Sequence, residues 1–168
     1  NGKNRLWSIA TAFGDNHMDL AMNMAKSENL NEDQIILLKQ IGLVVNYNSY
    51  GQTVEDLFFS PEEIAKAVKA CGSDIFRFTE QSDIFPILLE NFSADMSSAV
   101  CQEPYAISDN AVIYTLPNEA WTHRVMGSFS NHLVSTNKDL ACAIAVLNSD
   151  GTYRISVRSS INNPYGAG

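Results

Sequence analysis

An α+β fold is predicted for this chain, helical through roughly its first two-thirds and built on strands thereafter. Three observations predict it. Apolar residues recur at helical spacing as far as about Ser98, beyond Pro104 the period shortens to two, and Leu140 to Leu147 is a continuous apolar run closed by the turn residues Asn148-Ser149-Asp150-Gly151.

Residues from about Asn4 to Phe13 are apolar and helix-compatible, and they stop at Gly14-Asp15-Asn16, residue types that favour turns. Met18, Ala21, Met22 and Ala25 stand at i, i+3, i+4 and i+7 and predict a helix over Met18 to Ser27. Asn31 is read as the N-cap of a third helix, with Glu32 and Asp33 suited to its positive start. Ile35, Leu38, Ile41, Gly42 and Val45 form its core stripe, and it runs out in Asn46 to Gly51. Ser60-Pro61-Glu62-Glu63 is a capping box with proline at the first helical position, opening a helix to Ala70 that ends near Gly72. Phe76 to about Ser98 is helical with Pro86 inside it, so a kink or restart is expected there, with Ser82 or Asp83 capping the longer second half.

Tyr105 to Ser108 and Ala111 to Thr115 alternate as strands around a tight turn at Asp109-Asn110. Pro117-Asn118-Glu119 opens a helix from about Ala120 to Val134, with Trp121, Val125, Phe129 and His132 or Leu133 along its core side. The Leu140 to Leu147 strand then turns into Tyr153 to Ser160, giving β-β-α-β-β with no internal repeat or low-complexity tract.

At 168 residues, 45% hydrophobic and 18% charged, the chain suits one domain, or a small domain with a helical annexe, with an ordinary core. No apolar run approaches the roughly 18 residues of a membrane span. Cys71, Cys101 and Cys142 are odd in number, far apart and set in apolar surroundings, which fits reduced cytoplasmic thiols better than a disulfide framework. With no initiator Met, no signal-peptide pattern and a Gly-Ala-Gly end just after a strand, the chain reads as a piece of a longer cytoplasmic protein, in which the Asn91-Phe92-Ser93 sequon means little. A net charge of −8 argues against non-specific binding of long duplex nucleic acid but leaves room for a small anion on a local basic cluster. Phosphate-loop, His-Glu-x-x-His and nucleophile-elbow motifs do not occur.

That basic cluster is sought on the last strand. Alternation puts Tyr153, Ile155 and Val157 on one face and Arg154, Ser156 and Arg158 on the other, so a cation and several hydroxyls converge where the strand ends. Arg158 is the candidate phosphate ligand, since a guanidinium stays charged and can fork two oxygens; Ser159 could add a hydroxyl or backbone donor, and Ser160 and Arg154 are lesser candidates, Arg154 sharing the polar face or being simply solvated. The competing view is an exposed strand arginine. His123 and His132, nine residues apart on one helix, point to opposite sides and cannot share a metal.

The Arg158-Ser159 strand resembles that of the C-terminal substrate-binding (DHHA1) domain of the DHH phosphoesterases. Ala10-Thr11-Ala12-Phe13-Gly14-Asp15-Asn16 is similar to the fourth motif of the same family, a helix end that delivers an aspartate to a manganese site. The resemblance implies residues 1–28 as the tail of a catalytic domain, 29–104 as an N-terminal helical linker, and 105–168 as an incomplete mixed-sheet α/β DHHA1-like domain. It implies Asp15 as one ligand of a two-metal Mn²⁺ site, the competing view being a helix-terminating turn or cap. His17, two residues on, could touch that site or simply be an exposed helix-start histidine. The Asp-x-Asp, single-Asp and Asp-His-His motifs of the family, and its glycine-rich Gly-Gly-Gly-His-like loop, are absent from this sequence.

The implied activity is a metal-dependent phosphoesterase, a hydrolase of phosphodiester or phosphoanhydride bonds. Its substrates would be short single-stranded oligonucleotides, nucleoside bisphosphates, cyclic dinucleotides or polyphosphate, the acidic charge favouring small ones. The alternative implied by the same resemblance is a non-catalytic nucleic-acid- or nucleotide-binding DHHA1 module attached to another enzyme.

Overall fold

The computed structural model describes residues 4–160 and 162. They form seven α-helices and a four-stranded mixed sheet, an α+β fold. No helix among the described residues is long and apolar enough to cross a membrane. The turn expected at Asn162-Asn163-Pro164 lies, apart from Asn162, outside the described residues.

The chain divides into two compact units, Asn1–Ser49 with Leu57–Phe92, and Tyr50–Asp56 with Ser93–Gly168. Neither boundary falls at residue 28 or 104, where the resemblance placed domain borders. The reason is packing: the helices on either side of residue 28 share one core.

In the first unit, α1 (Arg5–Gly14) and α3 (Glu32–Tyr47) pack so closely that two glycines set their separation. A Cβ on Gly42 would stand 1.9 Å from the Ala10 carbonyl oxygen, and one on Gly14 would stand 2.5 Å from that of Gly42. Side chains of α1 and α3 such as Ile9, Phe13, Leu38, Ile41 and Val44 are then fully excluded from water, each contributing about 1.5–3 kcal/mol by its burial. The predicted stripe of α3 is turned slightly: Val44 and Tyr47 are buried in place of Ile35 and Val45, which are partly exposed.

Caps fix the element ends. The α3 N-cap Asn31 accepts from the Gln34 amide at 2.9 Å while Gln34 Oε1 accepts from the Asn31 amide at 3.0 Å. Ser60 and Glu63 make the same reciprocal pair at the start of α4 (Pro61–Cys71), as their spacing predicts. α2 (Met18–Ser27) has the predicted bounds. The helix expected from Phe76 is interrupted earlier than Pro86: α5 (Arg77–Glu80) ends, Ser82 Oγ accepts from the Ile84 amide, and α6 (Ile84–Val100) restarts with Pro86 in its first turn, where no backbone hydrogen bond is lost.

In the second unit the sheet order is β1-β2-β3-β4. β1 (Ala106–Ile107) and β2 (Ala111–Leu116) form the predicted antiparallel hairpin. α7 (Ala120–Thr136) crosses over to β3 (Ala141–Leu147), which pairs parallel with β2 and antiparallel with β4 (Tyr153–Arg158). α7 lays Val125, Met126, Phe129 and Leu133 on one sheet face, burying Val112, Leu116, Cys142, Ile144 and Val146. Phe129 meets Tyr114 edge-on at 5.3 Å.

The two faces of β4 are as the alternation predicts, but their surroundings invert the usual order. Ser156 and Arg158 face α7, whereas Tyr153, Ile155 and Val157 remain 57%, 65% and 45% exposed.

Candidate functional site

Asp15 is the C-cap of α1. Its amide donates to Thr11 at 2.9 Å, Asn16 follows with a φ of 62°, and the His17 amide closes on Ala12 at 2.8 Å, so the helix ends in a left-handed turn that Asn tolerates. The backbone therefore fulfils the cap role that local chemistry predicts. The side chain does not share in it: Asp15 is exposed, its carboxylate accepts no hydrogen bond among the described residues, and it stands at the negative end of a helix, where an acid is disfavoured. It lines two hollows. One, of about 180 Å³, is walled by Trp7, Thr11, Gly42 and Asn46 beside Asp15; the other is a broader open cleft that also takes in His17 and Lys69.

The residues present do not fit a manganese centre by themselves. Among the described residues no three or more His, Cys, Asp or Glu groups converge, and the cleft offers one carboxylate and one imidazole, Asp15 and His17.

Arg158 is half-buried at the end of β4, opposite Cys142. Nε donates to Asn131 Oδ1 of α7 at 3.2 Å, and Nη1 donates to Ser156 Oγ and the Val157 carbonyl, both at 3.1 Å. Ser156 Oγ lies 2.8 Å from Ser130 Oγ, which donates to the Met126 carbonyl at 2.7 Å. With protons ordered from Arg158 to Ser156 to Ser130 to that carbonyl, both hydroxyls are satisfied, and the guanidinium is held in one plane. Among the described residues Nη2 donates to no partner.

The two serines differ. The Ser159 hydroxyl is buried with no hydrogen-bond partner among the described residues, whereas Ser160 Oγ donates to the Lys138 carbonyl at 2.6 Å and accepts from the Asn162 amide. Ser160 thus ties the strand end to the loop before β3. Beside it, Asn110, Asp139, Ala141, Ser160 and Asn162 line a cavity of about 310 Å³. Arg158, Ser159 and Ser160 belong to the second unit and Asp15 to the first. Arg154 is exposed.

Sequence reasoning missed the polar interior of α7. His123 and Arg124 are buried, and Arg124 Nε donates to Asp95 Oδ2 at 2.8 Å while Nη1 donates to the Asp56 carbonyl at 2.6 Å. No local spacing marks that pair, since Asp95 is 29 residues away.

His123 sits 3.1 Å from the Asn118 amide, which is satisfied when its N–H₂ donates to His123 Nε2 and to the Leu147 carbonyl while its oxygen accepts from the Ser149 amide. Nε2 is then an acceptor and the ring is neutral, its proton on a buried Nδ1 that finds no partner among the described residues. Burial first, and then the Arg154 charge, hold the imidazole below its ordinary pKa, against a smaller opposing pull from Asp56. The unfolded chain therefore takes up a proton that the folded chain refuses. Stability is at its full value above the unfolded histidine pKa of about 6.5, falls as the pH drops below it, and levels off beneath the folded pKa. Melting temperatures measured between about pH 7.5 and 5 should show this decline, and His123→Asn should flatten it. An identical slope in the variant would assign the acid sensitivity to other groups.

No protein-family model, characterised protein or solved structure matches the chain.

Proposed function

We propose that the chain is part of a cytoplasmic DHH-family phosphoesterase whose second unit binds the phosphate of a small phosphorylated substrate or short single-stranded oligonucleotide through Arg158 and Ser159. The observation that carries this reading is the held guanidinium. Asn131 and Ser156 fix its plane through Nε and Nη1 and leave Nη2 without an acceptor among the described residues; Ser159, next in sequence, has a buried hydroxyl with no partner among the described residues. A phosphate oxygen would supply the acceptor that Nη2 lacks, as a charge-assisted partner, with Ser159 the adjoining candidate donor.

Ser160 is the weaker candidate, because its one hydrogen already goes to Lys138. Asp15 is proposed as one manganese ligand in the complete protein, the others coming from outside this sequence. No hydrolytic step is assigned to the 168 residues themselves.

The test is calorimetric titration of the 168-residue chain with a phosphorylated dinucleotide and with inorganic phosphate, alongside Mn²⁺-dependent hydrolysis assays. Binding without turnover is expected. Arg158→Ala should weaken binding by about 10- to 100-fold, the worth of a charge-assisted contact, and Arg158→Lys should restore part of it, since the ammonium keeps the charge without the planar fork. Equal affinities in all three proteins, with unchanged circular dichroism, would reduce Arg158 to a structural residue. Turnover by this chain that Asp15→Asn abolishes would show that the metal apparatus has been misplaced.

A further inference from the structure

Among the described residues, the sheet of the second unit is covered by α7 on one face and bare on the other. Parallel strands such as β2 and β3 are ordinarily covered on both faces, because their backbone and apolar side chains are both shielded by helices. The bare face consists of alternate residues with no charged side chain among them: Ile113 and Thr115 of β2, Ala143 and Ala145 of β3, Ile155 and Val157 of β4. Their exposure is continuous across the strands, with Ile113 at 38%, Val157 at 45% and Ile155 at 65%. A contiguous apolar surface of this kind marks an interaction site rather than ordinary scatter.

We propose that this face is the docking site of an amphipathic α-helix with an apolar stripe and basic ends, contributed by a separate polypeptide segment. The shape selects a helix. Across the strands the register reads Ile113, Ala143, Val157 in one row and Thr115, Ala145, Ile155 in the next, so the small side chains of β3 floor a trough walled by β2 and β4. Strands about 4.8 Å apart place those walls about 10 Å from each other, close to the diameter of an α-helix. The seven residues of β3 run about 23 Å, matched by a helix of about 15 residues.

Charge selects its ends. Exposed Asp109 and Asp139 stand in the loops where β2 and β3 begin, and exposed Asp150 in the turn where β3 gives way to β4. Three of the unit's four cations are on the covered side: Arg124 on Asp95, and Arg154 and Arg158 in register with buried Val146 and Cys142; Lys138, beside Asp139, is the fourth. A second copy of this face would bring the same acids against these, whereas lysine or arginine at both ends of a helix meets them with opposite charge.

The probe is a fluorescein-labelled peptide of about 15 residues with a Leu/Ala stripe and lysines at both ends, titrated against the 168-residue chain by fluorescence anisotropy. Saturable binding is expected, about tenfold weaker or more when the lysines become glutamates and lost when the stripe is scrambled. Ala143→Arg, which fills the trough with charge, and the milder Ile155→Thr, which keeps a β-branched residue on the strand, should each weaken binding by about tenfold or more. Arg154→Ala on the opposite face should leave it unchanged. Equal binding of the lysine, glutamate and scrambled peptides, or none at about 1 mM, would overturn the proposal. So would a dimer in sedimentation velocity that Ala143→Arg dissociates, which would make a second copy the occupant.

Discussion

Replacing Gly42 by alanine is expected to cost the first unit about 3 kcal/mol or more, a large share of the roughly 5–15 kcal/mol that holds an ordinary domain folded. The added methyl would meet the Ala10 carbonyl oxygen at 1.9 Å, its carbon at 2.8 Å and the Gly14 nitrogen at 2.9 Å. All three are backbone atoms of α1, so no side chain can rotate aside. α1 must move off α3, and the interlocked Ile9, Phe13, Leu38 and Ile41 lose contact together. Gly14→Ala should cost less: its closest contact is 2.5 Å, and it ends α1, where the backbone yields more readily. Gly127, inside α7, is the opposite control. A Cβ there meets nothing within 4 Å, and alanine should raise stability by about 0.5–1 kcal/mol through a less free unfolded chain and better helix propensity. Urea unfolding followed by circular dichroism ranks the three variants. A Gly42→Ala midpoint equal to that of the parent would show that the helices separate without penalty.

That contrast also marks how far the fold was legible in the sequence. The bounds of α2 and the capping box of α4 depend on residues within four positions of one another, and both were readable. The restart at α6 was readable in part: Ser82 or Asp83 was expected as its cap, and the Ser82 hydroxyl does accept from the Ile84 amide, while Pro86 itself makes no kink because a proline in a first turn displaces no hydrogen bond. Nonlocal features were hidden. Alternation assigns Tyr153, Ile155 and Val157 to one face of β4, yet α7 decides which face is covered, and it covers the polar one. The outward turn of Val45 follows from contact at Gly42, which no periodicity reveals. At the candidate site, Arg158 and Ser159 could be picked out as polar residues at a strand end. Asn131, which orients the guanidinium, could not, being 27 residues away on another element. Asp15 was readable as a turn residue, and its bare carboxylate became visible only once its neighbours were placed.

The buried ion pair of the second unit should be nearly as sensitive as the glycine contact. The side chains of Arg124 and Asp95 are only 10% and 13% exposed, so both charges have left most of their water, and their pairing offsets part of that loss. Arg124 also donates to the Asp56 carbonyl and so ties Tyr50–Asp56 to α7. The Asp56 side chain secures the same segment from within, accepting from the Gln52 and Thr53 amides at 2.7 and 3.1 Å; burial alone would raise its pKa, but those amides and nearby positive charge hold it below the ordinary value. Arg124→Met keeps most of the volume but leaves a buried carboxylate without its guanidinium, for an expected loss of about 3–5 kcal/mol. Asp95→Leu should cost a similar amount by removing the carboxylate that faces the buried cation. Combining them removes both charges, and the double variant should be more stable than either single one. With Trp7 replaced by phenylalanine, Trp121 fluorescence in urea follows the second unit alone, and the double-mutant cycle can be measured there. Strictly additive losses would mean that the two side chains stabilise the fold independently, and the pair would then be an incidental contact rather than the anchor of α7.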